Sequence, residues 1–254
     1  MKTIAVAGKG GTGKTTLCGI LINYLCAHGL TPVLAVDADA NDNLNEVLGV
    51  EVEKTLGEIR EVVAQAERDE NSPIPTGMSK QDYMEYQLQG ALSEGDDFDM
   101  LVMGRTQGKG CYCYANSLLT AAMSKLTKPY RYIVVDNEAG MEHISRGTLP
   151  SVDTLLLVSD ASRRGIQATG RIKDLADELK LNPTTMKLIV NRAPSATLDP
   201  GILEEIDRQG LDLLGVVPHD ELVYEYDCAG KPTSKLPADS VARSSFEKLI
   251  DALL

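Results

Sequence analysis

The chain has 254 residues and a formal net charge of −12, with 43% apolar and 24% charged residues. Those values describe a globular chain long enough for one large α/β domain or two small ones, and no cluster of Lys and Arg offers a footprint for nucleic acid or anionic lipid. No apolar run is long enough to span a bilayer. The short apolar stretch after Met1-Lys2-Thr3 lacks the length and the cleavage site of a secretory signal, so the expected location is the cytoplasm. Five cysteines, an odd number in a chain able to build a core, argue against a disulfide framework.

Short runs rich in Val, Ile and Leu alternate with helical patterns. In chain order they predict a strand at Thr3–Ala7, a helix at Lys14–His28, a strand at Pro32–Val36 and a helix at Thr55–Arg68. A loop at Asn71–Gly77, carrying two prolines, lies inside an insertion. There follow a strand at Phe98–Met103, a helix at Ala115–Lys125, and strands at Tyr132–Asp136 and Thr154–Ser159. A helix at Gly165–Leu179, a strand at Lys187–Asn191, a helix at Pro200–Gln209, a strand at Leu213–Val217 and a helix at Asp239–Leu253 complete the set. The strands show little alternation, as expected where both faces are buried in a mostly parallel sheet. Strand–helix alternation of this kind predicts one doubly wound α/β domain over residues 1–254, with about seven strands.

Gly8-Lys9-Gly10-Gly11-Thr12-Gly13-Lys14-Thr15 fits the phosphate-loop pattern G-x-x-x-x-G-K-[ST], and it stands between a strand and a helix, where such a loop must lie. Glycines let backbone N–H groups converge on phosphate oxygens, and the helix N-terminus adds favourable partial charge. Lys14 then bridges the β- and γ-phosphates, the Thr15 hydroxyl binds Mg²⁺, and Thr16 reaches the α-phosphate. With its early lysine, Gly8-Lys9-Gly10-Gly11-Thr12-Gly13-Lys14-Thr15-Thr16 resembles the deviant Walker A of the MinD/ParA/nitrogenase-iron-protein group of ATPases. That resemblance implies that Lys9 crosses a dimer interface to the partner's nucleotide; a solvated loop lysine is the plainer alternative.

Asp37 and Asp39 end the second strand, at the carboxyl edge of the sheet where ligands of open α/β folds sit. The resemblance implies that Asp39 orients the attacking water and that Asp37 helps on the Mg²⁺ side. The alternative is that one of these carboxylates, or Asp42, only caps a helix starting near Asn43. Ile133-Val134-Val135-Asp136 is a Walker B pattern whose Asp holds Mg²⁺ through water, and Gly140, in Asn137-Glu138-Ala139-Gly140, is expected to bring a backbone N–H near the γ-phosphate. Asn191-Arg192-Ala193-Pro194 lacks the Asp of a guanine reader, while Asn191 can pair with an adenine edge, so ATP is expected over GTP. Val217-Pro218-His219-Asp220 resembles the adenine-side loop of the same group.

Cys111 and Cys113 stand in a glycine-rich segment just before a helix. Two thiols so spaced reach one soft metal ion but do not complete its shell; a two-fold dimer supplies the other pair. Lys109 and the helix N-terminus favour the thiolate. A redox dithiol and inert cysteines are the competing readings. Cys18 and Cys26 read as core thiols. Of the three histidines, His28 ends the first helix, His219 lies in the adenine-side loop, and His143 follows the Walker B strand as a switch-region residue.

Together the deviant Walker A, Asp37-Ala38-Asp39, Gly110-Cys111-Tyr112-Cys113-Tyr114-Ala115-Asn116 and Asp136-Asn137-Glu138-Ala139-Gly140-Met141-Glu142-His143 resemble the CooC-type accessory ATPases that mature carbon monoxide dehydrogenase, over nearly the whole chain. The resemblance implies a homodimer that binds ATP and Mg²⁺, holds Ni²⁺ (or Zn²⁺ in its place) at Cys111 and Cys113 of both subunits, and supports nickel insertion into the client enzyme. A sibling group serves acetyl-CoA synthase. Two rivals come from the wider group: an iron–sulfur redox ATPase like nitrogenase iron protein, whose paired cysteines are far apart in sequence, and a MinD/ParA-like spatial organiser. A membrane-binding C-terminal helix is disfavoured because Phe246–Leu254 carries too little charge opposite its apolar face, so that helix is expected to pack on the core.

Overall fold

The computed structural model of the chain describes residues 1–39, 43–65, 73–104, 113–137 and 151–254, with backbone only at 65 and 113–116. Among them, eight strands form one sheet: β1 (Lys2–Gly8), β2 (Val33–Ala38), β3 (Ser93–Glu94), β4 (Phe98–Val102), β5 (Tyr132–Asn137), β6 (Thr154–Asp160), β7 (Thr185–Ala193) and β8 (Leu213–Pro218). Their order is β3-β4-β2-β5-β1-β6-β7-β8. All pairs are parallel except β3 with β4. The doubly wound, mostly parallel fold is therefore as expected, with one strand more. The addition, β3, is two residues long, too short to leave a pattern in sequence.

Apolar side chains cover both faces. Ala5, Ala7, Ile133 and Val135 point into one core with Leu34, Val36 and Leu101; Ile4, Val6, Val134 and Leu156 point into the other. The second core receives α1 (Lys14–Ala27), whose side chains Leu17, Cys18, Ile20, Leu21, Ile22 and Leu25 are buried nearly all round. It also receives α2 (Leu44–Leu48) and the C-terminal helix (Val241–Asp251), which buries Ala242, Phe246 and Ile250. The terminal helix thus packs on the core, and the Tyr24 hydroxyl ties its end down by donating to Asp251 Oδ1 at 2.5 Å. No helix among the described residues is long and apolar enough to cross a membrane.

The first core is covered by α3 (Leu56–Gln65), α4 (Lys80–Gln89), α5 (Cys113–Leu126), α6 (Arg163–Glu178) and α7 (Pro200–Arg208). Among the described residues of the insertion after β2, α4 is a helix that the sequence pattern did not predict. It starts on Ser79, whose Oγ accepts from Asp82 N at 3.0 Å and donates to the Asp82 carboxylate. Two further elements absent from the sequence reading are α8 (Glu221–Cys228) and a 3₁₀ turn at Thr233–Lys235. Asp220 joins that end of the chain together: its carboxylate caps α8 through Leu222 N (3.0 Å) and also accepts from Ala242 N (3.0 Å) and Ser240 Oγ (2.6 Å), at the start of the terminal helix, α9.

Candidate nucleotide site

The strand order puts β1 between β5 and β6, and the chain leaves β1 toward β2 on one side while β6, β7 and β8 extend on the other. The carboxyl end of β1 is therefore the switch point, the usual crevice for a ligand in such a sheet. Gly8 closes β1 there because a Cβ at this position would lie 2.2 Å from the Val158 carbonyl oxygen of β6. The loop then turns back on itself: the Lys9 carbonyl accepts from Thr12 Oγ1 at 2.9 Å and from Lys14 Nζ at 3.5 Å. Gly13 has φ of 88° and opens α1 in the left-handed region open to glycine. The first turn of α1 has neither an acidic residue nor a side-chain cap, so its N–H groups are left for an external anion.

Two side chains from the end of β7 hold this loop. Asn191 Nδ2 donates to the Thr12 carbonyl at 2.8 Å, and Arg192 Nη1 donates to the Gly11 carbonyl at 3.1 Å. Arg192 does so with φ of 54°, an uncommon conformation for a residue with a Cβ. The sequence reading gave Asn191 to the base. In the structure one end of its amide is bonded to the loop, although the side chain also lines the base-side cavity. Lys14 is buried, whereas Lys9 is exposed with its side chain outside the walls of the phosphate cavity. That cavity, about 750 Å³, is lined by Gly10, Gly11, Gly13, Lys14, Thr15, Thr16, Asp39 and Arg192 among others. Thr12 is buried behind it.

Strand register sets the acidic side. Asp37 pairs with Asp136 across β2 and β5, so the two buried residues stand side by side. Their roles separate by partner. Asp37 accepts from Asp39 N (3.0 Å) and from Leu44 N (2.9 Å), the first residue of α2. The capping role considered for Asp42, which lies outside the described residues, is thus performed by Asp37, and what Asp37 shapes is the turn carrying Asp39 into the cavity. Asp136 lies deeper. Burial pushes its carboxyl up to about 6; hydrogen bonding from Thr15 and the Lys14 ammonium pull the other way, and Asp39 pushes further up. A buried Cys18 thiol also hydrogen-bonds to it, and burial followed by the Asp136 charge drives that thiol well above its ordinary value. Asp136 Oδ1 is buried with no hydrogen-bond partner among the described residues. An orphaned carboxylate oxygen beside a threonine hydroxyl is a hard oxygen donor set, and it fits Mg²⁺.

The base side is a second cavity of about 300 Å³, lined by Asn191, Pro218, His219, Val223 and Tyr224 with Thr16. His219 N donates to the Ala193 carbonyl at 2.8 Å, which fixes the loop after β8 to the end of β7. Val217, expected in this wall, is instead fully buried in the core, and its contribution is to anchor Pro218 and His219. Sequence reasoning missed Val47, Tyr224, Asp227 and Thr233, which line these cavities from α2, α8 and the 3₁₀ turn. No local motif marks them.

Cys111, Gly140 and His143 lie outside the described residues, and of Cys113 only the backbone is described. It opens α5, two residues earlier than the sequence pattern predicts, which puts Cys113 in the first helical turn. Among the described residues no group of three or more His, Cys, Asp or Glu side chains is placed to hold a metal ion. His28 behaves as expected, its Nδ1 lying 2.8 Å from the Tyr24 carbonyl at the end of α1.

A glycine loop at the switch point, a buried loop lysine and a Walker B carboxylate behind a threonine define a P-loop nucleotide-binding protein. The model of the CobQ/CobB/MinD/ParA nucleotide-binding domain matches residues 3–233, and the chain belongs to that family. It is 41% identical over 256 residues to an uncharacterised ATP-binding protein of Methanocaldococcus jannaschii, covering 99% of this chain and 98% of that one. It is 32% identical over 261 residues to the carbon monoxide dehydrogenase accessory protein CooC of Rhodospirillum rubrum, covering 99% and 95%. Among solved structures it is similar to the septum site-determining protein MinD of Pyrococcus horikoshii complexed with Mg-ADP, with a TM-score of 0.68, 24% identity and coverage of 99% and 95%.

Proposed function

We propose that this protein is an ATP-hydrolysing homodimer that carries nickel at a site shared between the Cys111 and Cys113 pairs of two subunits and delivers it to carbon monoxide dehydrogenase. The observation that carries the reading is the joint presence of Cys111-x-Cys113 and full-length similarity to a CooC accessory protein. Position in the fold supports it. Cys113 opens α5, the helix that follows β4, and β4 is the neighbour of β2. The Met103 N–H donates to the Asp37 carbonyl at 2.8 Å, so the residue after β4 lies beside the turn that carries Asp39.

In this mechanism Lys14 bridges the β- and γ-phosphates, with Gly140 N–H on the γ side. Asp39 orients the attacking water, and Lys9 reaches the partner's nucleotide. Thr15 directly and Asp136 through water would hold Mg²⁺, which supplies charge neutralisation for the phosphate oxygens when bound. Closure of two subunits on ATP alters the turn at Asp39 and, through Met103, the start of the cysteine segment. Metal affinity and nucleotide affinity are then coupled reciprocally.

The test is anaerobic nickel titration of the reduced protein, with mass determination, beside a Cys111→Ala/Cys113→Ala double variant. One nickel per dimer, with thiolate-to-nickel absorption that the variant lacks, is the expected result. Equal binding by the variant, or none by either protein, removes the metal-delivery reading and leaves a nucleotide-binding protein with another client.

A further inference from the structure

The oxygen donors that fit Mg²⁺ are brought together across a seam. Thr15 stands at the start of α1, beyond the loop that β1 feeds, and Asp136 belongs to β5, the strand beside β1. The paired register of the two strands ends at Val6 and Asp136. The next residue, Asn137, reaches back over that point: its Nδ2 donates to the Val6 carbonyl of β1 at 3.4 Å and to the Val135 carbonyl of its own strand at 3.2 Å. We propose that Asn137 is a positioning residue that ties β1 to β5 at their carboxyl ends and so sets the spacing of Thr15 and Asp136 in favour of Mg²⁺ over larger divalent cations. The inference rests on the reading of Thr15 and Asp136 as the Mg²⁺ side of the site and deepens it by naming what fixes its dimensions.

Three observations support the assignment. First, Asn137 acts through backbone and not by touching the ligand. Successive strand residues face opposite sides of the sheet, so Asn137 shares the side of Ile133 and Val135 in the first core while Asp136 faces the other way. Asn137 is only 1% exposed and lines neither nucleotide cavity. Second, its two partners decide which way the amide points. Both are carbonyls, so the NH₂ end must face them; the flipped amide would set an acceptor against two acceptors. Third, that orientation carries a cost. Asn137 Oδ1 is buried with no hydrogen-bond partner among the described residues. An apolar side chain of similar volume would avoid burying that oxygen, so stability alone does not account for an amide here, whereas a clamp on Val6 does. The consequence falls on the cation because Mg²⁺ demands near-ideal octahedral geometry at about 2.0–2.1 Å, while Ca²⁺ accepts oxygens at about 2.3–2.6 Å in flexible arrangements. A seam that loosens by a few tenths of an ångström therefore penalises Mg²⁺ far more than Ca²⁺.

The test is calorimetric binding of ADP with Mg²⁺, with Ca²⁺ and with a chelator, to the wild-type protein, Asn137→Ala and Asn137→Leu. Leucine fills the volume of the amide without its donors, so a change shared by both variants comes from the lost hydrogen bonds and not from a cavity. In wild type, Mg²⁺ is expected to raise ADP affinity more than Ca²⁺ does. In both variants the gain from Mg²⁺ should fall about five- to tenfold, the scale of one ordinary hydrogen bond. The gain from Ca²⁺ and the affinity without metal should each stay within about twofold of wild type, a split that a merely structural role would not produce. Equal loss of the two gains overturns the proposal, as does a full Mg²⁺ gain in Asn137→Leu or a fall in metal-free affinity as large as the fall with Mg²⁺. Wild type that binds ADP with no gain from Mg²⁺ overturns the Mg²⁺ reading of Thr15 and Asp136 along with it.

Discussion

Asn191→Ala separates two ways in which the end of β7 can serve a nucleotide. In the structure the Asn191 amide donates to the Thr12 carbonyl at 2.8 Å, in a position only 5% exposed. A Cβ on Gly13 would lie 2.4 Å from that same nitrogen, so loop and amide are packed against each other with no room for a substitute donor. Truncation leaves the Thr12 carbonyl without its partner at a cost of about 1–3 kcal/mol, equivalent to about a 5- to 150-fold change in an equilibrium constant. Because the lost bond orders the loop and not the base, the same factor should weaken ATP, GTP and inorganic tripolyphosphate together. The assay is isothermal calorimetry with those three ligands in the presence of Mg²⁺, beside a melting curve. Any share of the loss expressed in the free protein lowers Tm by about 2–4 °C per kcal/mol for a chain of this size. Unchanged tripolyphosphate affinity with ATP weakened and GTP unaffected would refute the reasoning, and would return Asn191 to the role of adenine reader alone.

If Lys9 acts across the dimer, Lys9→Ala should bind ATP within about twofold of wild type yet lose at least about tenfold in phosphate release. Mixing it with an inactive Asp39→Ala protein should restore part of the rate, since one site of the mixed dimer keeps Asp39 and receives Lys9 from its neighbour; no recovery on mixing would sink the in-trans role. Glu205 is pulled down to about 2 by hydrogen bonds from Gln209 and Arg163, with Gln167 and Arg208 adding to them. A carboxyl lowered in the folded state contributes stability above its ordinary value of 4.5 that is lost as pH falls through about 2. Acid-unfolding curves of Glu205→Gln should therefore be flatter than wild type between those limits, and an unchanged slope would remove Glu205 from the account. Asp220→Ala removes caps from both α8 and α9 and should cost about 2 kcal/mol, read as a fall in Tm of about 4–8 °C with the base-side cavity loosened.

What could be read from the sequence was what is local. The phosphate loop is contiguous, and strand, glycines, lysine and helix start each impose a residue type on a fixed position, so Gly8 to Thr16 carried their roles without help from the fold. The central strands were legible for a similar reason: two buried faces demand unbroken apolar runs such as Ile133–Val135. The wall between the two cavities was not legible, because Asp227 and Thr233 come to line it only through the packing of the 3₁₀ turn beside α1, more than two hundred residues along the chain from the glycine loop. The insertion failed for lack of signal, since α4 buries Tyr83, Met84 and Leu88 at spacings that mark no clear apolar face, and only Ser79 and Asp82 announce its start.

The two aspartates of β2 show why spacing alone cannot distribute roles. Asp37 and Asp39 are two residues apart at a strand end, where alternation would give both the same face and the same duty. The strand stops between them: Ala38 is the last residue of β2, so Asp37 is still inside the ladder, in register with Asp136, while Asp39 has left it. The one inside the ladder is buried and bonds the backbone of Asp39 and Leu44; the one outside is free of the sheet's geometry and faces the cavity. A carboxylate that shapes a turn and a carboxylate that the turn delivers are chemically identical in sequence, and they are distinguished only by where the ladder ends.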